Sequence, residues 1–455
     1  MTKPNLDLID TIAIVMLENR SFDHMLGHLS FNPFADGTKV NGLLDPLMQD
    51  AYENIDASGQ PFYPFIMKDG QLATDLPHER DFVATQLAWS SVSDGFTMAG
   101  FVRAYFHFQS IARPAQPDPM GFLAPEDIPI THFLARNYAV CDQWHAPLPA
   151  STQPNRLMAL SGDSEIDYTK GLFPPTGDLY LDWLKKRNVR WRVYHSGISF
   201  FALLGRIPEI FGEDYRYIDS LANDVKIEPK DTFPSVIIIE PSYGDAPHIG
   251  SDLPNDNHPP LPVGPGEAFL RQVYEALTCN PERWAHTLLI VTYDEHGGFF
   301  DHVPPPLIGY TPPPGNSFVS GPFTSMGVRV PALIVSPLVS AQSVYHGLLD
   351  HTSILQLLAE KFDTKGTGYS ASVNQRRAKG IGSVSLVLDL SQPRSDIPDP
   401  PPAPSASTIS FADPGASASP MQQGFQDAAM NMFKNNQNET ADKYPEITHW
   451  AMMQA

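Results

Sequence analysis

Cysteine is almost missing from this 455-residue chain: only Cys141 and Cys279 occur. Two thiols exclude a disulfide scaffold and a Cys-rich zinc module, and they read here as buried free thiols. Long apolar runs are missing too. No stretch of 18 or more apolar residues occurs, so no helix is expected to span a membrane. Positive charge is scarce, with 30 Lys and Arg against 51 Asp and Glu, a net charge of −21. That balance excludes a nucleic-acid binder working through a basic face. It also opposes long-range attraction of an anion, so any anion site must be built locally by a metal, histidines or a helix N-terminus. The start, MTKPNLDLID, lacks a basic segment followed by an apolar one and does not read as a secretory signal. The expectation is a cytoplasmic protein, or one exported by a non-classical route. Several motifs are absent as well: the Gly-x-x-x-x-Gly-Lys phosphate loop, Gly-x-Gly-x-x-Gly after the first strand, His-Glu-x-x-His, and the Gly-x-Ser-x-Gly elbow of esterases.

What is present is a globular α/β pattern. Apolar residues make up 42% of the chain, too many for global disorder. Continuous apolar runs at Thr11–Leu17, Ser235–Ile239, Thr287–Tyr293 and Val330–Val335 predict strands buried on both faces, as in a parallel sheet. Val189–Tyr194 and Tyr138–Cys141 are weaker strands. Helical spacing appears at Glu267–Leu277, at Ser353–Phe362 with Thr352 or Ser353 as N-cap, and at Leu179–Lys186. Strands alternating with helices predict a doubly wound α/β sheet. Proline, at 45 residues, is about twice its usual ~5% share. Some of it forms a surface loop from Val303 to Gly315. Eight prolines lie between Pro393 and Pro420, which predicts a linker or a strap across the surface. The division expected is a main domain over 1–390, a Pro-rich strap over 391–420 and a helical tail over 421–455. In that tail Met421–Asn435 places Phe425, Met432 and Phe433 on one face.

Three strands stop at acids. The first ends Leu17-Glu18-Asn19, the second Ile239-Glu240, the third Tyr293-Asp294-Glu295-His296-Gly297-Gly298. Ligands of open α/β sheets bind beyond the carboxyl ends of strands. If these strands are parallel neighbours, Glu18, Asn19, Glu240, Asp294 and Glu295 converge on one edge. Grouped carboxylates repel unless protons or a cation intervene, and carboxylates with an amide oxygen suit Mg²⁺, Ca²⁺ or Mn²⁺. In Ser151-Thr-Gln-Pro-Asn-Arg156, Thr152 stands where a helix cap belongs, and capping is its simpler role. A hydroxyl at a helix N-terminus beside a metal is also a competent nucleophile. Histidine occurs 15 times. His78, His258 and His302, the last beside Asp301, are the ones near candidate loops; His24, His132, His145 and His286 read as structural.

Glu18-Asn-Arg-Ser-Phe-Asp-His24, Thr152 with Pro154-Asn-Arg156, Asn257-His-Pro-Pro260 and Tyr293-Asp-Glu-His-Gly-Gly298 with Asp301-His-Val-Pro-Pro305 resemble the phosphoesterase family of bacterial and plant non-specific phospholipases C, which also holds acid phosphatases. The resemblance runs from about residue 10 to about residue 362. It implies an alkaline-phosphatase-like three-layer α/β/α sandwich with a mostly parallel sheet. It implies Glu18, Asn19, Asp294 and Glu295 as ligands of a divalent metal, Thr152 as nucleophile, and His78 and His258 as active-site histidines. Glu240, Asp301 and His302 match motif positions without an assigned role. The activity implied is phospholipase C-type cleavage of a phospholipid. The alternatives are a broad acid phosphatase on small phosphate esters and a non-catalytic binding protein. A sulfatase-like chemistry is excluded because Thr152 cannot yield a formylglycine.

Overall fold

A computed structural model describes residues 4–35, 37–44, 51–108, 114–248, 253–404 and 418–454. The apolar runs become strands of one eight-stranded sheet. In chain order these are β1 (Thr11–Leu17), β2 (Ala139–Cys141), β3 (Trp191–His195), β4 (Tyr215–Tyr217), β5 (Val236–Glu240), β6 (Thr287–Tyr293), β7 (Ala332–Val335) and β8 (Ser343–Tyr345). Across the sheet the order is β4-β3-β5-β1-β6-β7-β2-β8. β1 pairs in parallel with β5 on one side and β6 on the other. β3 is parallel to β4 and β5, and β8 to β2. β7 alone is antiparallel to its neighbours, β6 and β2. The run beginning at Val330 therefore differs from expectation in direction. Its strand starts only at Ala332, which keeps Pro331 out of the hydrogen-bond ladder. β5 and β6 are buried along their whole length, which is why neither alternates in sequence.

Helices cover both faces of the sheet, the layered fold that the family resemblance implies. Those needed below are α1 (Arg80–Leu87), α2 (Thr152–Ser161), α3 (Tyr180–Lys185), α4 (Gly264–Thr278), α5 (Thr352–Phe362), α6 (Pro420–Asn435), α7 (Gln437–Lys443) and α8 (Pro445–Gln454). Ile14 and Met16 of β1 and Ile238 of β5 face Ala159 and Leu160 of α2, Tyr180 of α3 and Ile354 of α5 around a cavity of about 40 Å³. In α4 the predicted stripe Phe269, Val273 and Leu277 is buried. Neither Thr352 nor Ser353 caps α5. His351 holds that position, and Asp350 Oδ1 accepts from the Thr352 N–H at 2.7 Å and its hydroxyl at 2.6 Å.

One buried core runs from Leu6 to Ile447 and takes in Met421, Phe425, Ala428, Ala429 and Met432 of α6. Phe433, expected inward, is only half-buried. Residues 393–404 lie over the surface: Arg394 N–H donates to Pro337 O at 2.9 Å, and Pro398 O accepts from the Tyr274 hydroxyl at 2.9 Å. The stretch 405–417 of the expected strap lies outside the described residues. Cys141 is buried, but Cys279, at the end of α4, is exposed. No helix among the described residues is long and apolar enough to cross a membrane.

Candidate active site

The adjacency β5-β1-β6 brings the acid-tipped strand ends together at one edge of the sheet. Asn19 turns the chain with a left-handed φ of 57°, a conformation that Asn tolerates better than most side chains. Its N–H donates to Asp294 Oδ1 at 3.0 Å, which also accepts the Glu295 N–H at 2.7 Å. After β6 the chain passes so close to Asn19 that a Cβ at Gly297, where φ is +62°, would lie 2.0 Å from the Asn19 carbonyl oxygen. Only glycine fits both the angle and the gap. Gly297 N–H donates to Glu295 Oε2 at 2.8 Å, and His296 Nδ1 lies 3.0 Å from the same oxygen.

Thr152 is the first residue of α2 rather than its cap; Ser151 takes that position. The hydroxyl of Thr152 is thus free of the capping role and donates to Asn19 Oδ1 at 3.1 Å. Ser151 donates instead to Glu79 Oε2 at 2.7 Å. Asn155 ties down the approach to the helix, accepting the Leu148 N–H at 2.9 Å and donating to the carbonyl of Ala150 at 2.7 Å. One turn after Thr152, on the same helix face, stands Arg156. Its Nη2 lies 3.0 Å from Glu18 Oε1, and its Nε lies 3.5 Å from Asp294 Oδ2.

Two histidines close the other side. His78 Nδ1 donates to Leu76 O at 2.7 Å, and His258 Nδ1 to Pro259 O at 2.5 Å. These bonds fix both tautomers and turn the Nε2 atoms inward, with ring centroids 6.1 Å apart. Nε2 of His78 is 3.5 Å, and Nε2 of His258 2.8 Å, from Asn19 Nδ2. Burial disfavours the charge on each ring. Even so, Glu295 and Asp75 raise His78 above the ordinary range, and Asp75, Asp245, Glu18 and Asp256 push His258 up to about 10. The Asn19 amide N–H can donate only to a neutral ring. A charged His258 offers its Nε2–H instead, to the Asn19 amide oxygen after a flip of that amide or to a ligand oxygen.

The carboxylates are a hard, oxygen-rich set. Burial, together with Asp294 and Asp256, holds Glu18 well above the ordinary carboxyl range, although Arg156 opposes this. Burial and Glu295 likewise raise Asp294 against Arg156. Burial would raise Glu295 as well, but His78, His296 and the Gly297 N–H keep it low. Asp294 Oδ2 and Glu295 Oε1 are buried and accept no hydrogen bond among the described residues. Close acids with unused oxygens fit a divalent cation. Beside them, two overlapping groups, Asp75–His78–His258 and Glu18–Asp245–His258, also have metal-ligand spacing.

Not every expected residue joins this edge. Glu240 Oε1 accepts the Phe200 N–H at 3.1 Å and faces the Tyr243 hydroxyl at 3.4 Å. Burial raises its carboxyl to about 7 against Ser199 and Arg156. It borders the site from behind, through Arg156 and Tyr243. Asp301 and His302 belong to a separate cluster with Asp23. That trio is close enough to hold a metal, but buried Arg329 already supplies the cation. Its Nε lies 2.9 Å from Asp301 Oδ1 and its Nη2 3.1 Å from Asp23 Oδ1, while His302 Nδ1 sits 2.7 Å from Asp23 Oδ2. The sequence reading gives no role to Arg156, although it stands in the matched Pro154-Asn-Arg156 string, and none to Asp245 or Tyr243. The signal for Arg156 was there: its spacing of four from Thr152 on a helix.

A model of the phosphoesterase family matches residues 9–365. Non-specific phospholipase C3 of Arabidopsis thaliana is 31% identical over 420 residues, covering 86% of this chain and 75% of that protein. Phospholipase C A of Mycobacterium tuberculosis is 31% identical over 394 residues, covering 78% and 73%. Among solved structures, the lipoteichoic acid synthase LtaP from Listeria monocytogenes aligns over 82% of this chain and 79% of its own, at 10% identity and a TM-score of 0.37.

Proposed function

The chain belongs to the phosphoesterase family and is a phosphoric ester hydrolase; from that premise we propose that it cleaves glycerophospholipids as a phospholipase C, through a phospho-Thr152 intermediate. The observation that carries the reading is the Thr152 hydroxyl. It sits in the first turn of a helix, bonded to Asn19, with buried acids on one side and two inward-facing imidazoles on the other. Glu18, Asn19, Asp294 and Glu295 would hold a divalent metal, which supplies Lewis-acid neutralisation of phosphoryl charge and a lowered pKa for the attacking hydroxyl. Asn19 Oδ1 orients the hydroxyl of Thr152. The free N–H groups at the start of α2 receive phosphoryl oxygens, favoured by the helix dipole. Thr152 Oγ1, its proton already released to solvent, attacks phosphorus in line, and the P–O bond to the diacylglycerol breaks. His258, whose acidic neighbours favour its charged form, gives its Nε2 proton to the departing oxygen, while His78 holds a phosphoryl oxygen. Neutral His258 then takes a proton from the attacking water, the P–O bond to Thr152 breaks and the phospho-headgroup leaves, which returns Thr152 Oγ1 and His258 to their starting states.

The net charge of −21 favours a zwitterionic lipid over an anionic one. Product analysis on phosphatidylcholine vesicles and on p-nitrophenyl phosphate tests the reading. Diacylglycerol and phosphocholine are expected from the first. Free phosphate from the monoester alone supports the acid phosphatase alternative instead. The Thr152→Ala variant is expected to fold and to lose turnover on both substrates. Near-normal turnover in that variant sinks the covalent scheme.

A further inference from the structure

Arg156 pairs with two carboxylates of the proposed metal site, yet its own position depends on few directed bonds. Beyond the pairs with Glu18 and Asp294, Nη2 lies 3.2 Å from Met16 O and Nη1 lies 3.4 Å from the Tyr243 hydroxyl. Nε has no hydrogen-bond acceptor among the described residues. Aromatic packing confines the guanidinium as well. Its Cζ lies 4.8 Å from the ring centroid of Phe200 and 5.1 Å from that of Tyr243.

Phe425 of α6 stands behind both rings. It stacks on Tyr243 at 5.5 Å and 28°, meets Phe200 edge-on at 6.4 Å, and is 1% exposed. The neighbouring residue seats the helix: a Cβ at Gly424 would lie 2.6 Å from Gly171 Cα. Gly171 O in turn accepts from Gln153 Nε2 at 2.5 Å, directly beside Thr152. One turn of α6 thus reaches α2 by two indirect routes, through Gly171 to the Gln153 side chain and through Tyr243 and Phe200 to Arg156. This turn lies some distance beyond residues 9–365, the segment that the family shares.

We propose that Phe425 is a positioning residue for the metal-ligand carboxylates: by backing Tyr243 and Phe200 it holds Arg156, and Arg156 holds Glu18 and Asp294. The proposal rests on the metal reading given above. It is tested on the full chain, stripped of metal and titrated calorimetrically with Mn²⁺ alone, with unfolding midpoints recorded alongside. Groups one step out from metal ligands, as Arg156 is, typically change affinity 10–100-fold; Phe425 acts through Arg156, so Phe425→Ala is expected to weaken Mn²⁺ binding by about tenfold at most, and Phe425→Tyr to restore it. Met432→Ala is the control, a buried position two turns along the same helix. It is expected to lower the midpoint while leaving Mn²⁺ affinity unchanged. If Phe425→Ala does not fold, Phe425→Leu, which keeps volume but not the flat face, takes its place with the same expected loss. Unchanged Mn²⁺ affinity in the folded Phe425 variant, or an equal loss in Met432→Ala, overturns the proposal. A wild-type chain that takes up no Mn²⁺ overturns the metal reading and this proposal with it.

Discussion

Replacing Arg329 with Met is expected to cost about 3–5 kcal/mol of stability, because it leaves buried carboxylates without their cation. The guanidinium donates to Asp301 Oδ1 and Oδ2 at 2.9 and 3.1 Å and to Asp23 Oδ1 at 3.1 Å. It also donates to the carbonyls of Asn41 and Asp142 at 2.7 and 2.8 Å. Arg329 and Asp301 are fully buried, and Asp23 is 1% exposed. Hydrogen bonds to charged groups are each worth about 1.5–3 kcal/mol, so the three to carboxylates, about 4.5–9 kcal/mol together, cover the expected loss once relaxation and water entry recover part of it. Arg329→Lys keeps a charge but not the two-pronged contact with Asp301, and is expected to lose roughly half as much. Denaturant unfolding followed by tryptophan fluorescence measures both. Elemental analysis of Asp301→Asn is expected to show the wild-type metal content. A loss below about 1 kcal/mol in Arg329→Met, the worth of an exposed pair, would refute the clamp. So would a reduced metal content in Asp301→Asn, which would make Asp23, Asp301 and His302 a metal site.

Two further outcomes follow from named contacts. Burial alone would lower His302, but Asp23 raises it above 6.5, with Asp301 adding and Arg329 opposing. The His302–Asp23 pair therefore stabilises the fold fully below about pH 6.5 and loses that contribution as pH rises through the folded value. His302→Gln is expected to flatten the slope of unfolding midpoint against pH above neutrality; an unchanged slope counts against the pair. Gly297→Ala forces a methyl against the Asn19 carbonyl at a positive φ, and a misplacement of about 1 Å at a reacting centre can cost about a hundredfold in rate. Its kcat on p-nitrophenyl phosphate is expected to fall on that scale, and a wild-type kcat would show that Asn19 need not hold its place.

Sequence alone settled the local matters. Unbroken apolar runs report burial on both faces, so the buried strands and the layered α/β class were legible. Strings such as Glu18 to His24 and Tyr293 to Gly298 carried the family and named residues that the structure gathers at one sheet edge, because such turns need fixed residue types at fixed spacing. Tertiary structure decided what such runs cannot report, namely which strands are neighbours and which way each one points. Glu18 and Asp294 meet only because β1 and β6 pair in register, Leu17 opposite Tyr293. Asp301, a few residues beyond Glu295, is carried off by the Gly297-Gly298 turn to a different cation, Arg329. Thr152 looked like a cap because spacing shows where a helix begins, not where a hydroxyl points; the bond to Asn19 crosses 133 residues of sequence. The scarcity of positive charge acquires its local meaning the same way. Arg156 faces the buried acids of the site and Arg329 those of the separate Asp23–Asp301 cluster, and only the packed structure shows which acids each one neutralises.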